Sequence, residues 1–444
     1  MSSQDHRCPA LFISAPASGH GKTTITAALS RLYRRQGKRV RVFKTGPDFL
    51  DPMVLEQASG QPVVNLDLWL GGEDHCRRQV ALAAAESDVL LVEGVMGLFD
   101  GEPSSADLAQ LLGIPIVAVI NARGMGQTIG ALAQGMLAYR PELQFAGVLA
   151  NGVASPRHAQ MLRQGLQNAR PSVPLLTGLQ RDMQFALPER HLGLVAAPEI
   201  ADLDARLDAV AERMSSTSLA NLPAQVDFGT PPPERAFPRL LEGKTIAVAR
   251  DLAFSFIYTA NLDLLAQMGA AVAFFSPLAD EPLPECDAVW LPGGYPELHL
   301  PALQAAQRTR SSLRAHAEAG KPLYAECGGM LFLLETVIAG DGSSGQLCGI
   351  LPGQATVQPR LQGLGYQTLK LNLPGAVGEH LRCHTFHYSR AVVGAEFIAR
   401  GERLFDSSEG EVVYRRGQVT ASYLHAYFRS APRTVAALFG GARA

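Results

Sequence analysis

Short apolar runs without period-two alternation recur along the first half of the chain, and they constrain its fold more than any other feature. They occupy residues 10–15, 39–43, 89–92, 114–120, 146–150 and 192–196. A strand with one wet face alternates apolar and polar residues. A strand apolar on both faces has to be covered on both. Helical spacing appears between several runs, as in 23–35 and 127–139. Strands alternating with helices connect through right-handed crossovers, which predicts an α/β fold with a mostly parallel sheet.

The alternation stops between about 215 and 242, where Pro231, Pro232 and Pro233 stand in a row. Consecutive prolines fit neither a packed helix nor a central strand, so this stretch reads as a stiff linker. A second alternation follows at 245–249, 271–275, 288–291 and 321–325, with further strand-like sequence at 365–371, 411–415 and 420–424. The expected organisation is a domain over 1–215, a linker over 216–242 and a second α/β domain over 243–444. A length of 444 residues agrees with roughly two or three domains.

Hydrophobic residues at 47% and charged residues at 18% exclude a disordered chain. A net charge of −2 argues against nucleic acid or an anionic membrane as partner. The six cysteines form no C-x-x-C pair, which leaves neither a zinc ribbon nor a redox motif and fits a reducing compartment. The polar N-terminus lacks the apolar stretch of a secretion signal, and no run is long enough to span a bilayer. The expectation is a cytoplasmic protein.

Two places carry chemistry. In the first, an apolar strand enters P-A-S-G-H-G-K-T-T and then a helix. Strand, glycine-rich turn and helix make a phosphate cradle of backbone N–H groups at a helix N-terminus. Gly19, His20, Gly21, Lys22, Thr23 and Thr24 form the expected nucleotide-binding set, with Lys22 reaching terminal phosphates and Thr23 a magnesium ion. The usual pattern begins with glycine where this chain has Pro16. Carboxylates follow at other strand ends: Asp48 and Asp51 in K-T-G-P-D-F-L-D-P, Glu93 and Asp100 in E-G-V-M-G-L-F-D-G. Ligands bind at the C-terminal ends of parallel strands, so Glu93, then Asp48, are the expected metal residues. The plainer alternative is that these acids cap helices or solvate loops. Asn151, ending another strand, either meets a nucleotide base or makes an Asn-Gly turn.

In the second place, K-P-L-Y-A-E-C-G-G-M reads as strand, tight turn and helix, with Cys327 at the turn. Small residues after it permit a strained elbow that presents a nucleophile. A helix N-terminus there would lower the thiol pKa. His425, in T-A-S-Y-L-H-A-Y-F, is the expected base, on a strand read as ending at the histidine. His299, His316, His380, His384 and His387 compete with it. Gly293 and Gly294, in L-P-G-G-Y-P-E-L, are the expected oxyanion donors. The two histidines of H-T-F-H lack a nearby third ligand, which argues against a metal site there.

Taken in chain order, the motifs around Lys22, Asp48, Glu93, Gly293, Cys327 and His425 resemble the cobyrinic acid a,c-diamide synthase family, which includes the hydrogenobyrinic acid enzymes. The deviant Pro16 matches the family's own P-loop. The resemblance implies a dethiobiotin-synthetase-like domain followed by a class I glutaminase domain. It implies an ATP- and glutamine-dependent carbon–nitrogen ligase of corrinoid biosynthesis, with Mg2+ as cofactor. The a- and c-acetate carboxylates would be amidated through an acyl phosphate. Asp48, Asp51 and Asp100 would face the substrate. Its partners would be small molecules (corrinoid, ATP and glutamine), and a homodimer would be unremarkable. Class I glutaminases often carry a glutamate two residues past the histidine; Tyr427 stands there, as expected for a Cys–His dyad. Cys383 and Thr385 depart from the glycine and glutamate expected in their loop. Two alternatives remain: an amidotransferase for other corrinoid positions or for a nickel tetrapyrrole, and a P-loop ATPase fused to a non-catalytic glutaminase-like module.

Overall fold

The computed structural model describes residues 6–169, 173–180, 189–190, 193–194, 197–376 and 378–441. The chain divides into two units, Met1–Glu234 and Arg235–Ala444.

In the first unit the central strands are β1 (Arg7–Ser14), β2 (Val40–Thr45), β3 (Val64–Leu66), β4 (Val89–Glu93), β5 (Ile116–Asn121), β6 (Phe145–Val153) and β7 (Leu175–Gln180). Their order across the sheet is β3-β2-β4-β1-β5-β6-β7, all parallel. The absence of alternation in sequence has a direct cause. Ala10 and Phe12 of β1, Leu90 and Val92 of β4, and Ile116 and Ala118 of β5 enter one core. Their neighbours Leu11, Ile13, Val89, Leu91, Val117 and Val119 enter the opposite core.

Helices cover both faces. Helix α3 (Glu73–Glu86), α4 (Ser105–Leu112), α5 (Thr128–Tyr139) and α6 (Pro156–Ala169) pack on the first core. Helices α1 (Lys22–Arg35), α2 (Leu50–Ser59) and α7 (Leu203–Ser215) pack on the second. The expected run at 192–196 lies partly outside the described residues; Gly193–Leu194 pairs antiparallel with Glu189–Arg190.

The segment expected as a linker is tied to the first unit over much of its length. Gln225–Asp227 pairs antiparallel with the start of β1, and Leu219 and Val226 are buried. The Tyr33 hydroxyl donates to Leu219 O at 2.8 Å, and Arg78 reaches Pro232 O and Glu234. Apolar side chains at 219 and 226 find a core despite the low-order composition around them. The boundary between units falls just after the prolines.

In the second unit, Thr245–Ala249, Ala271–Phe275, Ala288–Leu291, Leu323–Glu326 and Val419–Ser422 form the parallel part of a ten-stranded sheet. Antiparallel strands Glu409–Arg416, Glu396–Arg403, Gly363–Leu369 and Leu381–His387 extend it. The strand read as ending at His425 stops earlier, at Ser422. His425–Ala426 then pairs with Leu381–His387, so the chain crosses between strands at Tyr423 and Leu424. Among the described residues, no helix is long and apolar enough to cross a membrane.

Leu91 is fully buried in the middle of its sheet. Leu91→Ala should cost the first unit about 2–5 kcal/mol, read as an earlier unfolding transition in denaturant while the second unit's transition holds.

Candidate functional site

Parallel pairing places β1, β2 and β4 so that their C-terminal ends meet. Ile13 lies beside Glu93, and Lys44 lies beside Glu93 from the other side. The phosphate loop leaves β1 at this edge. Gly19 and Gly21 take φ of +77° and +92°, which admit glycine readily. A Cβ on Gly21 would also stand 2.3 Å from Asn151 Nδ2. That amide donates to His20 O at 3.0 Å, and the Asn121 N–H donates to His20 Nδ1 at 2.9 Å. Asn121 of β5 and Asn151 of β6 therefore hold the loop's shape through His20. Asn151 also lines a cavity of about 820 Å³ with Thr24, Asn121, Arg123, Arg163 and Arg213.

Lys22 Nζ donates to Ala17 O at 3.3 Å and to Met96 O at 2.5 Å, between the phosphate loop and the loop after β4. Burial, then the neighbouring charge of Lys44, lowers its pKa. The Thr23 hydroxyl donates to Glu93 Oε1 at 2.8 Å. Glu93 is fully buried, its pKa is raised by that burial, and its Oε2 has no hydrogen-bond partner among the described residues.

Lys44, which sequence reasoning passed over, organises the acidic residues. Its Nζ stands 2.7 Å from Glu93 Oε1, 2.5 Å from Asp51 Oδ2 and 3.5 Å from Asp48 Oδ2. Burial alone would discharge this lysine, but the three carboxylates overcome it and raise its pKa well above the ordinary value. Asp48 also accepts the N–H groups of Leu50 and Asp51, capping α2 as the plainer alternative allowed. Burial and the adjacent Asp51 raise Asp48 to about 7. Burial opposes ionisation of Asp51 as well, yet the Lys44 contact holds its pKa down. Asp100 turns back to its own loop and accepts the Gly97 N–H at 2.8 Å. The only early signal for Lys44 was its place at the end of a buried strand, immediately before T-G-P-D.

In the second unit Cys327 has a φ of +42°, outside the ordinary range for a residue with a side chain, and caps the short helix Gly328–Leu333. A Cβ on Gly328 would meet Gly294 O at 2.6 Å, so the elbow closes only with glycine there. The nucleophile and histidine segments are tied by two bonds. Cys327 N–H donates to Ser422 O at 2.7 Å, and Ala426 N–H donates to Glu326 Oε1 at 3.0 Å. Gly293 packs against the His425 ring, where a Cβ would come within 2.2 Å of Cε1. Cys327, His425, Gly293 and Gly294 thus gather at one sheet end. His316 instead bonds Pro322 O at 3.0 Å in another part of the core, and His380 is exposed.

The electrostatics correct one expectation. The thiol pKa is raised, not lowered: burial dominates, followed by the charge of Glu297. A helix of six residues offers too little field to offset complete desolvation. His425 is lowered to about 3 by burial and then by the fields of His384 and His387. Both shifts favour the uncharged forms, a thiol and a neutral imidazole. Glu297 is raised to about 7 by burial. Sequence reasoning missed it, as it missed Glu326 and Glu411.

A family model described as the CobQ/CobB/MinD/ParA nucleotide binding domain matches residues 11–195, and one described as the CobB/CobQ-like glutamine amidotransferase domain matches 245–433. The chain is 54% identical over 437 residues to hydrogenobyrinate a,c-diamide synthase of Pseudomonas aeruginosa, covering 98% of each chain. It is 52% identical to the enzyme of that name from Stutzerimonas stutzeri, over 97% of this chain and 98% of the relative. It is 48% identical to cobyrinate a,c-diamide synthase of Herminiimonas arsenicoxydans, over 99% of this chain and 98% of the relative.

Glu326 is buried against Tyr324, Trp290, Cys383 and the Ala426 N–H, and burial raises its pKa to about 8. A carboxyl whose pKa is raised on folding stabilises fully below its unfolded value and loses that contribution as pH climbs through the folded one. Glu326→Gln should therefore flatten the fall in the second unit's thermal stability between about pH 4.5 and pH 8, checked by melting wild type and variant across that range.

Proposed function

The chain belongs to the a,c-diamide synthase family of glutamine amidotransferases, and from that premise we propose how its two sites divide an ATP-dependent carbon–nitrogen ligation. The observation that carries the scheme is the pairing of a strained cysteine elbow with a neutral imidazole in a chain whose other unit holds a phosphate loop.

Cys327 attacks the side-chain carboxamide carbon of glutamine while His425 takes the thiol proton. The N–H groups at Gly293 and Gly294 hold the developing oxyanion. His425 returns the proton to the departing nitrogen, ammonia leaves, and water hydrolyses the thioester to glutamate. In the first unit the γ-phosphoryl group of ATP passes to an acetate carboxylate of the corrinoid, giving ADP and an acyl phosphate. Ammonia displaces phosphate from that acyl group to form the amide. Two rounds convert the a and c carboxylates.

Gly19, His20, Gly21, Lys22 and Thr24 bind the triphosphate, and Asn151 and its cavity take the base. Lys22 neutralises charge on the transferring group. Asp48, Asp51 and Asp100 orient the corrinoid side, with Lys44 setting the charge of the first two. The Thr23 hydroxyl and the unbonded buried oxygen of Glu93 are hard oxygen donors that fit Mg2+, with Asp48 next in reach. A magnesium ion there supplies further charge neutralisation at the phosphates. Relatives carry both the hydrogenobyrinate and the cobyrinate names, so both macrocycles belong in the assay.

Cys327→Ala should cut glutamine-dependent amidation by about 10³-fold or more while ammonium salts still support it. Product mass spectrometry, scoring the gain of two amides, reads both. Lys22→Ala should abolish synthesis with either nitrogen source; undiminished ammonia-dependent turnover would refute the phosphate role.

A further inference from the structure

Beside the cysteine and histidine lies a buried group of side chains that the scheme above does not use. The His387 ring stacks on Tyr423 with centroids 3.6 Å apart and planes 6° from parallel. The Tyr423 hydroxyl bonds Ser389 Oγ at 2.9 Å. His387 Nδ1 stands 2.8 Å from Ser389 O, and its Nε2 stands 3.0 Å from Glu411 Oε1. The Thr385 hydroxyl donates to the same carboxylate oxygen at 3.4 Å. Residue 363 can only be glycine beside this pair, because a Cβ there would meet His387 Nε2 at 2.4 Å and Glu411 Oε1 at 2.6 Å.

Donor arithmetic fixes the pair's character. A carbonyl oxygen only accepts, so Nδ1 carries a proton. The contact between Nε2 and Glu411 needs a second proton between them. The pair is therefore joined by a hydrogen bond, whichever atom holds that proton. Such a pair is rigid, and Tyr423 is clamped to its face.

Tyr423 occupies the place where rigidity is needed. The parallel ladder ends at Ser422, whose carbonyl accepts from Cys327, and pairing resumes on another strand at His425. Between these points the chain crosses at Tyr423 and Leu424, where side-chain contacts take over from a ladder in setting the path. We propose that His387, held by Glu411 and stacked on Tyr423, is a positioning residue that fixes the His425-bearing crossing for glutamine hydrolysis. Tyr427 stands two residues beyond the histidine, and this clamp holds the segment at Tyr423, two residues before it. The proposal rests on Cys327 and His425 being the glutaminase pair.

The test is steady-state kinetics of the full-length chain with ATP, magnesium and hydrogenobyrinic acid, varying glutamine or ammonium chloride. His387→Ala should lower the kcat of glutamine-dependent synthesis about tenfold or more, with KM for glutamine within about twofold and ammonia-dependent synthesis retained. Tyr423→Ala should match it, whereas Tyr423→Phe keeps the stacked ring and should retain at least about a third of wild-type kcat. Should His387→Ala lose ammonia-dependent synthesis through misfolding, the Tyr423→Ala and Tyr423→Phe comparison decides by the same criteria. A raised KM with intact kcat would make the pair a glutamine-binding subsite and overturn the positioning role. Unchanged kcat in both alanine variants would overturn it too. Cys327→Ala is run alongside: surviving glutamine-dependent activity there would refute the glutaminase pair itself, whatever His387 does.

Discussion

Parallel strands deliver all their C-terminal ends to one edge of a sheet, and every reactive group described above is set by that geometry. In the first unit the edge collects the phosphate loop from β1, Lys44 from β2 and Glu93 from β4. In the second it collects Cys327 after one strand and the His425 segment after its neighbour. Backbone pairing fixes the heights of these groups relative to one another before any side chain is chosen. The close glycine contacts at 21, 293 and 328 follow from the same crowding, since segments from adjacent and next-but-one strands have to share the space above the sheet.

The two edges meet the cost of buried charge in opposite ways. The first keeps its charges and pairs them: Lys44 is surrounded by Glu93, Asp51 and Asp48, whose charges raise its proton affinity against the opposing effect of burial. Removing one partner of such a set would leave an uncompensated buried charge, the costliest outcome for a buried ion pair. The second edge avoids charge. Desolvation favours the protonated thiol at Cys327 and the neutral ring at His425. Phosphoryl transfer handles highly charged reactants and suits a site built from fixed charge. Thiol attack on a neutral amide begins from neutral partners and creates its charge only as the reaction proceeds.

What was legible in the sequence follows from this division. The phosphate loop and the cysteine elbow could be read because a backbone forced into unusual geometry demands glycine at set offsets, and glycine is visible in one dimension. The two-faced burial of β1, β4 and β5 could be read because it erases alternation. Lys44 could not, since a lysine at a strand end looks the same whether it faces water or three carboxylates. The protonation of Cys327 could not, because its helix position pointed one way and its burial, a property of the whole fold, prevailed. The strand break at Tyr423 was hidden for a related reason: T-A-S-Y-L-H holds no glycine or proline to mark a break, and only the competing pairing with Leu381–His387 divides it.

That break bears on how, in the proposed scheme, a cysteine and a histidine would suffice without an acid two residues further on. An acid after the histidine does two things: it orients the ring, and it stabilises the imidazolium that forms when the thiol is deprotonated. Here Gly293 lies against the His425 ring and strand pairing sets the residue opposite His384, so part of its placement comes from backbone. Charge stabilisation is a separate matter. A fixed carboxylate at Tyr427 would raise the proton affinity of the imidazole at all times, whereas a neutral base in a desolvated pocket gains a proton only when a negative charge appears beside it. The oxyanion formed on glutamine is such a charge. In the proposed scheme the low proton affinity of His425 and the high proton affinity of Cys327 would keep the pair uncharged until the substrate carbonyl arrives, tying ionisation to the presence of the amide that is to be cleaved.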